Sequence, residues 1–110
     1  MFIKEKPVKV YNLLTAATEV GVSVSVEPQS NQFTYQGYGS TGADDGDAQA
    51  DIEGSLDGIN WSIIDSLFFT LSTAVSTVSG SADTPWKYVR ANLLTINGTA
   101  ANVSIILGYN

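Results

Sequence analysis

The chain has 110 residues, a net charge of −6 and a hydrophobic fraction of 44%, which together predict one folded domain with a modest core. It has no histidine and no cysteine, so the usual catalytic base, disulfides and thiolate metal sites are excluded. No apolar run reaches the roughly 18 residues that cross a bilayer, and five Lys and Arg residues cannot neutralise a row of phosphates, so neither a membrane nor a nucleic acid is an expected partner.

The first ten residues differ in charge from the rest of the chain. Three of the five cations lie there, whereas no cation occurs between Tyr11 and Trp86. Charges and Pro7 stand where a secretory signal needs an apolar segment, so export by that route is not expected. We therefore divide the chain into residues 1–10, an N-terminal arm with the start of the first strand, and residues 11–110, a single β-sandwich domain.

Two interpretations of the arm stay open, a solvated tail and a segment that docks on a partner. A docking segment would use its apolar and cationic side chains, which are Phe2, Ile3, Lys4, Lys6 and Lys9.

Ser and Thr alternate with Val, Ile, Leu and Tyr along the chain, which is the pattern of half-buried strands. Gly-, Pro-, Asn- and Asp-containing turns separate the alternating stretches, and no stretch has a helical period. The pattern predicts an all-β fold, an antiparallel two-sheet sandwich, jelly-roll-like, with about eight strands. The strands are expected at about 7–14, 20–27, 32–38, 47–56, 59–64, 67–77, 86–95 and 102–109.

The segment 47–65 predicts a hairpin whose turn is Asp57-Gly58. Alternation along its first strand predicts that Trp61 returns to pack on the apolar side. The side expected in the core carries Ala48, Ala50, Ile52, Gly54 and Leu56. The side expected in water carries Gln49, Asp51, Glu53, Ser55 and Asp57.

A second hairpin is predicted at Asn97-Gly98, a common two-residue turn. Apolar residues alternate on both sides of this turn and are expected to pair across the two strands. They are Val89, Ala91 and Leu93 on the first strand and Val103, Ile105 and Leu107 on the second.

Carboxylates are the remaining candidates for chemistry. Asp51, Glu53 and Asp57 lie on one strand side at a spacing that a two-carboxylate glycosidase would tolerate, but nothing raises one pKa above another. A solvated strand face is the favoured interpretation, so no catalytic residue and no enzyme activity are predicted. The sequence also places Asp44, Asp45 and Asp47 beside glycines without the ligand spacing of a calcium loop, so we expect no metal and no cofactor.

Aromatic side chains could form a platform for sugar rings or could fill the core. Phe33 and Trp61 are expected in the core. Tyr38 and Trp86 stand beside predicted loops and are the candidates for ligand contact.

Three strings of the sequence are similar to those of a known group of proteins. They are Asp-Ile-Glu-Gly-Ser-Leu-Asp-Gly-Ile-Asn-Trp at 51–61, Thr-Pro-Trp-Lys-Tyr-Val-Arg-Ala-Asn at 84–92 and Asn-Gly-Thr-Ala-Ala-Asn-Val at 97–103. Together they resemble small β-sandwich virion proteins of tailed bacteriophages, a group that includes jelly-roll head decoration, or cement, proteins. The resemblance spans about residues 33–108.

This resemblance implies a non-enzymatic structural protein that binds and stabilises the outer surface of a phage head. Its expected partners are the major capsid protein of the same phage and further copies of itself, with a trimer as the first choice. The alternative is a tail- or fibre-associated carbohydrate-binding module for host recognition, since an Asp-Gly turn followed by a packing Trp occurs in both kinds of sandwich.

Overall fold

The computed structural model describes residues 8–110, which form strands, turns and no helix. No helix that could span a membrane is therefore present in this part of the chain. The strands are β1 (Lys9–Ala17), β2 (Gly21–Val22), β3 (Phe33–Ser40), β4 (Gly46–Ser55), β5 (Ser62–Leu71), β6 (Ser76–Ala82), β7 (Tyr88–Asn97) and β8 (Asn102–Tyr109).

These strands form two antiparallel sheets, with the orders β1-β8-β3-β6 and β2-β7-β4-β5. We call them the β8 sheet and the β7 sheet. Only β4 and β5 are consecutive strands within one sheet, because every other connection carries the chain from one sheet to the other. This is the strand order of a jelly roll, so the predicted all-β, two-sheet, jelly-roll-like sandwich is confirmed.

The core lies between the sheets and consists of alternate residues from both. The inward-facing apolar residues of β4 are buried as predicted, and those of β7 and β8 are almost fully inaccessible. This apolar burial is the main force that holds two sheets face to face. The predicted core residues that are buried are Phe33, Ala48, Ala50, Ile52, Val89, Ala91, Leu93, Val103, Ile105 and Leu107.

The predicted hairpin at Asn97-Gly98 is wrong, because β7 and β8 belong to different sheets. The chain crosses the edge of the sandwich here, with a φ of 127° at Gly98 and 52° at Ala100, values that favour glycine. The apolar residues of the two strands therefore meet face to face across the core. Alternation predicts which side of a strand is buried, but it does not distinguish a neighbour in the sheet from a neighbour in the opposite sheet.

Two predicted strands, 59–64 and 67–77, are in fact mainly the single strand β5, and β6 extends into the region that the prediction leaves between the strands 67–77 and 86–95. The polar pair Asp65-Ser66 interrupts the apolar pattern of the sequence and therefore resembles a turn between two strands. Asp65 instead points inward, where its Oδ2 accepts a hydrogen bond of 2.8 Å from the Tyr35 hydroxyl of the other sheet. Loss of water by burial and this carboxylate both raise the pKa of Tyr35, which keeps the phenol protonated as the donor.

The first predicted hairpin is confirmed, since β4 and β5 pair across the Asp57-Gly58 turn. Gly58 has a φ of 76°. The Asp57 carboxylate accepts hydrogen bonds of 2.8 Å from the backbone N–H groups of Ile59 and Asn60. Because β4 ends at Ser55, Leu56 lies in the turn and is exposed, so its predicted place in the core is wrong.

Candidate binding surfaces

The outer face of the β7 sheet buries polar residues that the sequence analysis places in water. Asp51, Glu53 and Ser55 are all buried. Asp51 Oδ1 accepts a hydrogen bond of 2.8 Å from the Ser66 hydroxyl. Glu53 forms an ion pair with Arg90, with 2.7 Å between Oε1 and Nε, and its Oε2 accepts a hydrogen bond of 3.2 Å from the Asn92 amide.

Trp61 covers this polar cluster from outside. The Arg90 guanidinium carbon lies 4.1 Å from the centre of the Trp61 ring, a distance at which the ring attracts the cation. Trp61 is only half-buried, and its predicted place on the apolar side is wrong, because it returns to the opposite side of the sheet. We call this surface the sealed face, formed by Asp51, Glu53, Trp61, Ser66, Arg90 and Asn92.

The polar groups of the sealed face bind one another and hold neighbouring strands together. Both oxygens of Glu53 accept hydrogen bonds from side chains of β7, and the hydroxyl of Ser66 on β5 donates to Asp51. A carboxylate that is committed to a fixed donor is poorly placed to exchange protons with a substrate. The cluster therefore ties β4, β5 and β7 together through their outward side chains.

The outer face of the β8 sheet is open. A groove of about 750 Å³ crosses all four of its strands. Among residues 8–110, the outward side chains of β3 and β6 are short or uncharged here and leave the groove open, and Asp83 is the charged residue of this part of the chain that lines it. We call this surface the open groove, and its principal residues are Val8, Val10, Thr34, Gln36, Ser81 and Ile106.

The predicted arm residues Phe2, Ile3, Lys4 and Lys6 lie outside the described residues. Lys9 is the first residue of β1 and is exposed. Its neighbours Val8 and Val10 both line the open groove. The described end of the segment predicted to dock on a partner thus lines this groove.

A second, smaller depression of about 420 Å³ lies where β1 and the segment before β3 approach the start of β7. Two tyrosine side chains, a carboxylate and an amide line it: Tyr11, Tyr88, Glu27 and Gln29. We call it the tyrosine cleft. No local sequence pattern indicates this cleft, because residues distant along the chain and belonging to different sheets form it.

The geometry of Tyr11 is fixed by a second tyrosine. The rings of Tyr11 and Tyr109 stack with 5.8 Å between their centres, and their hydroxyl oxygens are 3.2 Å apart. This hydrogen bond raises the pKa of Tyr11. The cleft therefore presents a neutral, oriented phenol.

The two predicted ligand-contact residues have different surroundings. Tyr38 is exposed on the outer side of β3. Trp86 is half-buried and packs against the core, directly over Gly54, where a Cβ would lie 2.4 Å from the Trp86 ring. The structure does not bring these two aromatics into one site.

The acidic loop before β4 uses its carboxylates to accept hydrogen bonds. Asp44 accepts from the backbone N–H of Thr99 at 2.8 Å and from its hydroxyl at 3.0 Å, and these bonds lower the pKa of Asp44. Asp47 accepts a bond of 2.7 Å from the Asn97 amide. Within residues 8–110, no cluster of three or more Asp and Glu side chains is arranged to hold a metal ion.

Comparisons with known proteins agree on the fold. No protein-family model matches the chain, and no match to a curated protein was found. The solved structure of the SPBc2 prophage-derived protein YomS matches with a TM-score of 0.64 and 10% identity, covering 99% of both chains. The PBSX exported protein XepA matches with a TM-score of 0.56 and 12% identity over 92% of this chain.

The present chain spans 36% of the length of XepA. A CBM4 protein also matches, with 13% identity over 91% of this chain and 68% of that chain, but its TM-score of 0.44 is too low to support an argument. The structural neighbours with the higher scores are thus phage-derived proteins, and at 10–12% identity what this chain shares with them is the β-sandwich fold.

Proposed function

We propose that this protein is a non-enzymatic structural component of a phage particle that decorates the outer surface of the head. It would bind the major capsid protein through the open groove and the N-terminal arm. The observation that carries the proposal is the continuity between them, since Val8 and Val10 belong to the last part of the arm and line the groove.

Surface chemistry supports this assignment of the groove. Val10 is 58% exposed and Ile106 lies beside it in the groove, so docking would remove apolar area from water. Residues of Thr, Gln and Ser supply hydrogen-bonding groups around them, which is the composition of a protein-binding surface with an apolar centre and a polar rim.

Charge distribution supports the orientation of the particle-bound protein. The arm carries Lys4, Lys6 and Lys9, whereas the body has no cation from Tyr11 to Trp86. A cationic arm favours association with an acidic shell. An acidic body facing solvent would keep decorated particles apart.

Two variants of the full chain test this function. Deletion of residues 1–6 and the substitution Val10→Asp should each weaken binding to undecorated heads by about tenfold or more, since both remove apolar contact. Binding is measured by co-sedimentation with purified heads, and decorated heads should also resist heating better than undecorated ones.

The matched control is Val75→Asp, which places the same charge on a valine that is 66% exposed in the loop between β5 and β6. It should bind heads like the unaltered protein. If Val10→Asp and the deletion both bind as well as the control, the groove and arm do not form the contact, and absence of any head binding by the unaltered protein contradicts the decoration function.

The tyrosine cleft favours one second candidate, a glycan-binding module of a tail or fibre. Tyrosine rings with nearby carboxylate and amide groups can stack on and hydrogen-bond a sugar. Titration of a glycan array with the isolated protein tests this function. Binding that Tyr88→Ala abolishes and Val10→Asp leaves intact would support the cleft over the groove.

A further inference from the structure

The outer edge of the β7 sheet is a seven-residue segment with the sequence Val-Gly-Val-Ser-Val-Ser-Val, residues 20–26. We call it the valine edge. It includes β2 and an isolated bridge between Val26 and Val89. It contains neither a charged residue nor a proline, which are the usual devices that prevent a sheet edge from pairing with another chain.

The hydrogen bonds of this segment show which way its peptide groups point. The Ser23 N–H donates to the Ala91 carbonyl at 2.8 Å, so Ser23 faces β7. Because peptide groups alternate in direction along an antiparallel strand, those of Val22 point away from β7 toward the outside of the sheet. The alternation is interrupted after Ser23, since Val26 also donates to and accepts from the backbone of Val89.

The side chains of the valine edge are also unusually exposed. Val20 is 60% exposed, Val22 53% and Val24 73%. Their even spacing places them on one side of the strand. Free backbone groups and a row of apolar side chains thus occur on the same edge.

We infer that the valine edge pairs with the same edge of a second copy of this chain, antiparallel and about a two-fold axis at Val22. In this register Val22 faces its own counterpart and Val20 faces the second copy's Val24. The peptide groups of Val22 point outward, so the Val22 pair forms backbone hydrogen bonds, and the Val20 and Val24 pair adds apolar contact. The two β7 sheets become one continuous eight-stranded sheet.

Repulsion between like charges favours this register over the alternative register with its axis at Ser23. A two-fold axis at Ser23 also aligns valine with valine, but it places Glu19 opposite Glu27 of the second copy. Like charges directly opposite each other destabilise a strand pair. The axis at Val22 places Glu19 opposite Ser25 and removes this repulsion.

The other sheet edges are less suited to such pairing. The ladder of β1 is shifted between Asn12 and Leu14 and again between Leu14 and Ala17. The register of β5 shifts opposite Ile52 and Glu53. Irregularities of this kind interrupt a strand edge. The fourth edge, β6, has a regular ladder, but its exposed side chains are Thr77, Ser79 and Ser81, which bury less apolar area than valine. The exposed valines therefore make the valine edge the contact that we infer, and the assembly is a dimer where the sequence resemblance implies a trimer.

Cysteine substitutions test the register directly, because the chain has no cysteine of its own. At the proposed axis the two Cα atoms of residue 22 are about 5.5 Å apart, within the range of a disulfide. Under mild oxidation Val22→Cys should therefore form a covalent dimer. Val24→Cys is the matched control, since its two copies are offset by four residues, or about 13 Å, although Val24 is the more exposed side chain.

A second experiment measures assembly without cross-linking. Sedimentation velocity of the unaltered protein should show a dimer, and Val22→Lys should weaken it by at least about tenfold through charge repulsion and loss of apolar contact. Val75→Lys should leave the dimer unchanged. A protein that stays monomeric at high concentration, a trimer, or cross-linking of Val24→Cys as fast as Val22→Cys would each overturn the inference, whatever the outcome of head binding.

Discussion

The two outer faces of the sandwich obey the same alternation but have opposite character. On the sealed face, Glu53, Arg90 and Trp61 are long enough to lie across one another, so a carboxylate becomes buried on the outside of a sheet. On the open groove, Thr34 and Ser81 are too short to cover anything. The length and pairing of outward side chains therefore decide whether an outer face is closed or available.

The two faces also differ in whether their polar groups remain available to a partner. The charges of the sealed face are used within the molecule, where Arg90 is held between Glu53 and Trp61. Groups that can meet a partner lie, among other places, on the open groove, in the tyrosine cleft and along the valine edge. Function in this fold is thus expected where the alternate side chains leave surface uncovered.

The largest effect that separates the two faces is expected from Glu53→Ala. It leaves the Arg90 guanidinium partly buried without its carboxylate, which should lower the free energy of unfolding by about 2–3 kcal/mol. The control is Gln36→Ala in the open groove, expected to change it by less than about 0.5 kcal/mol. Urea unfolding at pH 7 measures both, and equal values for the two variants would contradict the distinction between the faces.

A smaller effect is expected from Trp61→Ala. The loss of the ring over Arg90 should lower the free energy of unfolding by about 1–2 kcal/mol, since better hydration of the exposed cation offsets only part of the lost contact. A double-mutant cycle with Arg90→Ala isolates the contact between the two side chains. Strictly additive effects would show that Trp61 does not stabilise the cation.

The comparison also shows what the sequence alone could predict. Alternation correctly predicted that Ala48, Ala50 and Ile52 lie in the core. Which side of a strand faces inward follows from the strand geometry alone and needs no information about neighbouring strands. The same rule failed for Asp51 and Glu53, whose burial depends on Ser66 and Arg90 of neighbouring strands. Local pattern therefore predicts the inward side well and the outward side only where no partner covers it.

The candidate sites were less predictable for the same reason. The tyrosine cleft joins Tyr11 of β1 to Tyr88 of β7, two strands of different sheets. Trp86 looked like a loop aromatic, but Gly54 leaves the space in which it packs. Such contacts follow from the order of strands in the sheets, and the mistaken hairpin at Asn97-Gly98 shows that the sequence did not reveal that order.

The turn at the end of β4 allows a pH test of the hydrogen bonds beside the sealed face. Bonds from the Asn60 and Ile59 N–H groups, and then from the side chains of Asn60 and Ser55, lower the pKa of Asp57 well below its ordinary value of 3.8. The ionised carboxylate therefore contributes stability that is fully present above about pH 4, and this contribution is lost as the pH falls through the lower folded-state pKa.

Asp57→Asn should accordingly be less stable than the unaltered protein at pH 7, and the difference should shrink toward pH 2. The control is Asp45→Asn, an exposed side chain in the loop between β3 and β4, for which we expect no comparable change. Urea midpoints at several pH values measure this. A difference for Asp57→Asn that stays constant with pH would show that the carboxylate charge does not stabilise the turn.

The smallest effect is expected from calcium at the loop that joins the two sheets between β3 and β4. Asp44 is engaged by Thr99 and Asp47 by Asn97, so binding an ion would require these bonds to break. Calcium at 1 mM and a chelator should therefore give the same melting temperature. A site with a dissociation constant of about 10 μM would add about 2.7 kcal/mol at that concentration, which raises the melting temperature of a domain of this size by several degrees. A shift of that size, abolished by Asp44→Asn, would mean that the loop exchanges its hydrogen bonds for a cation.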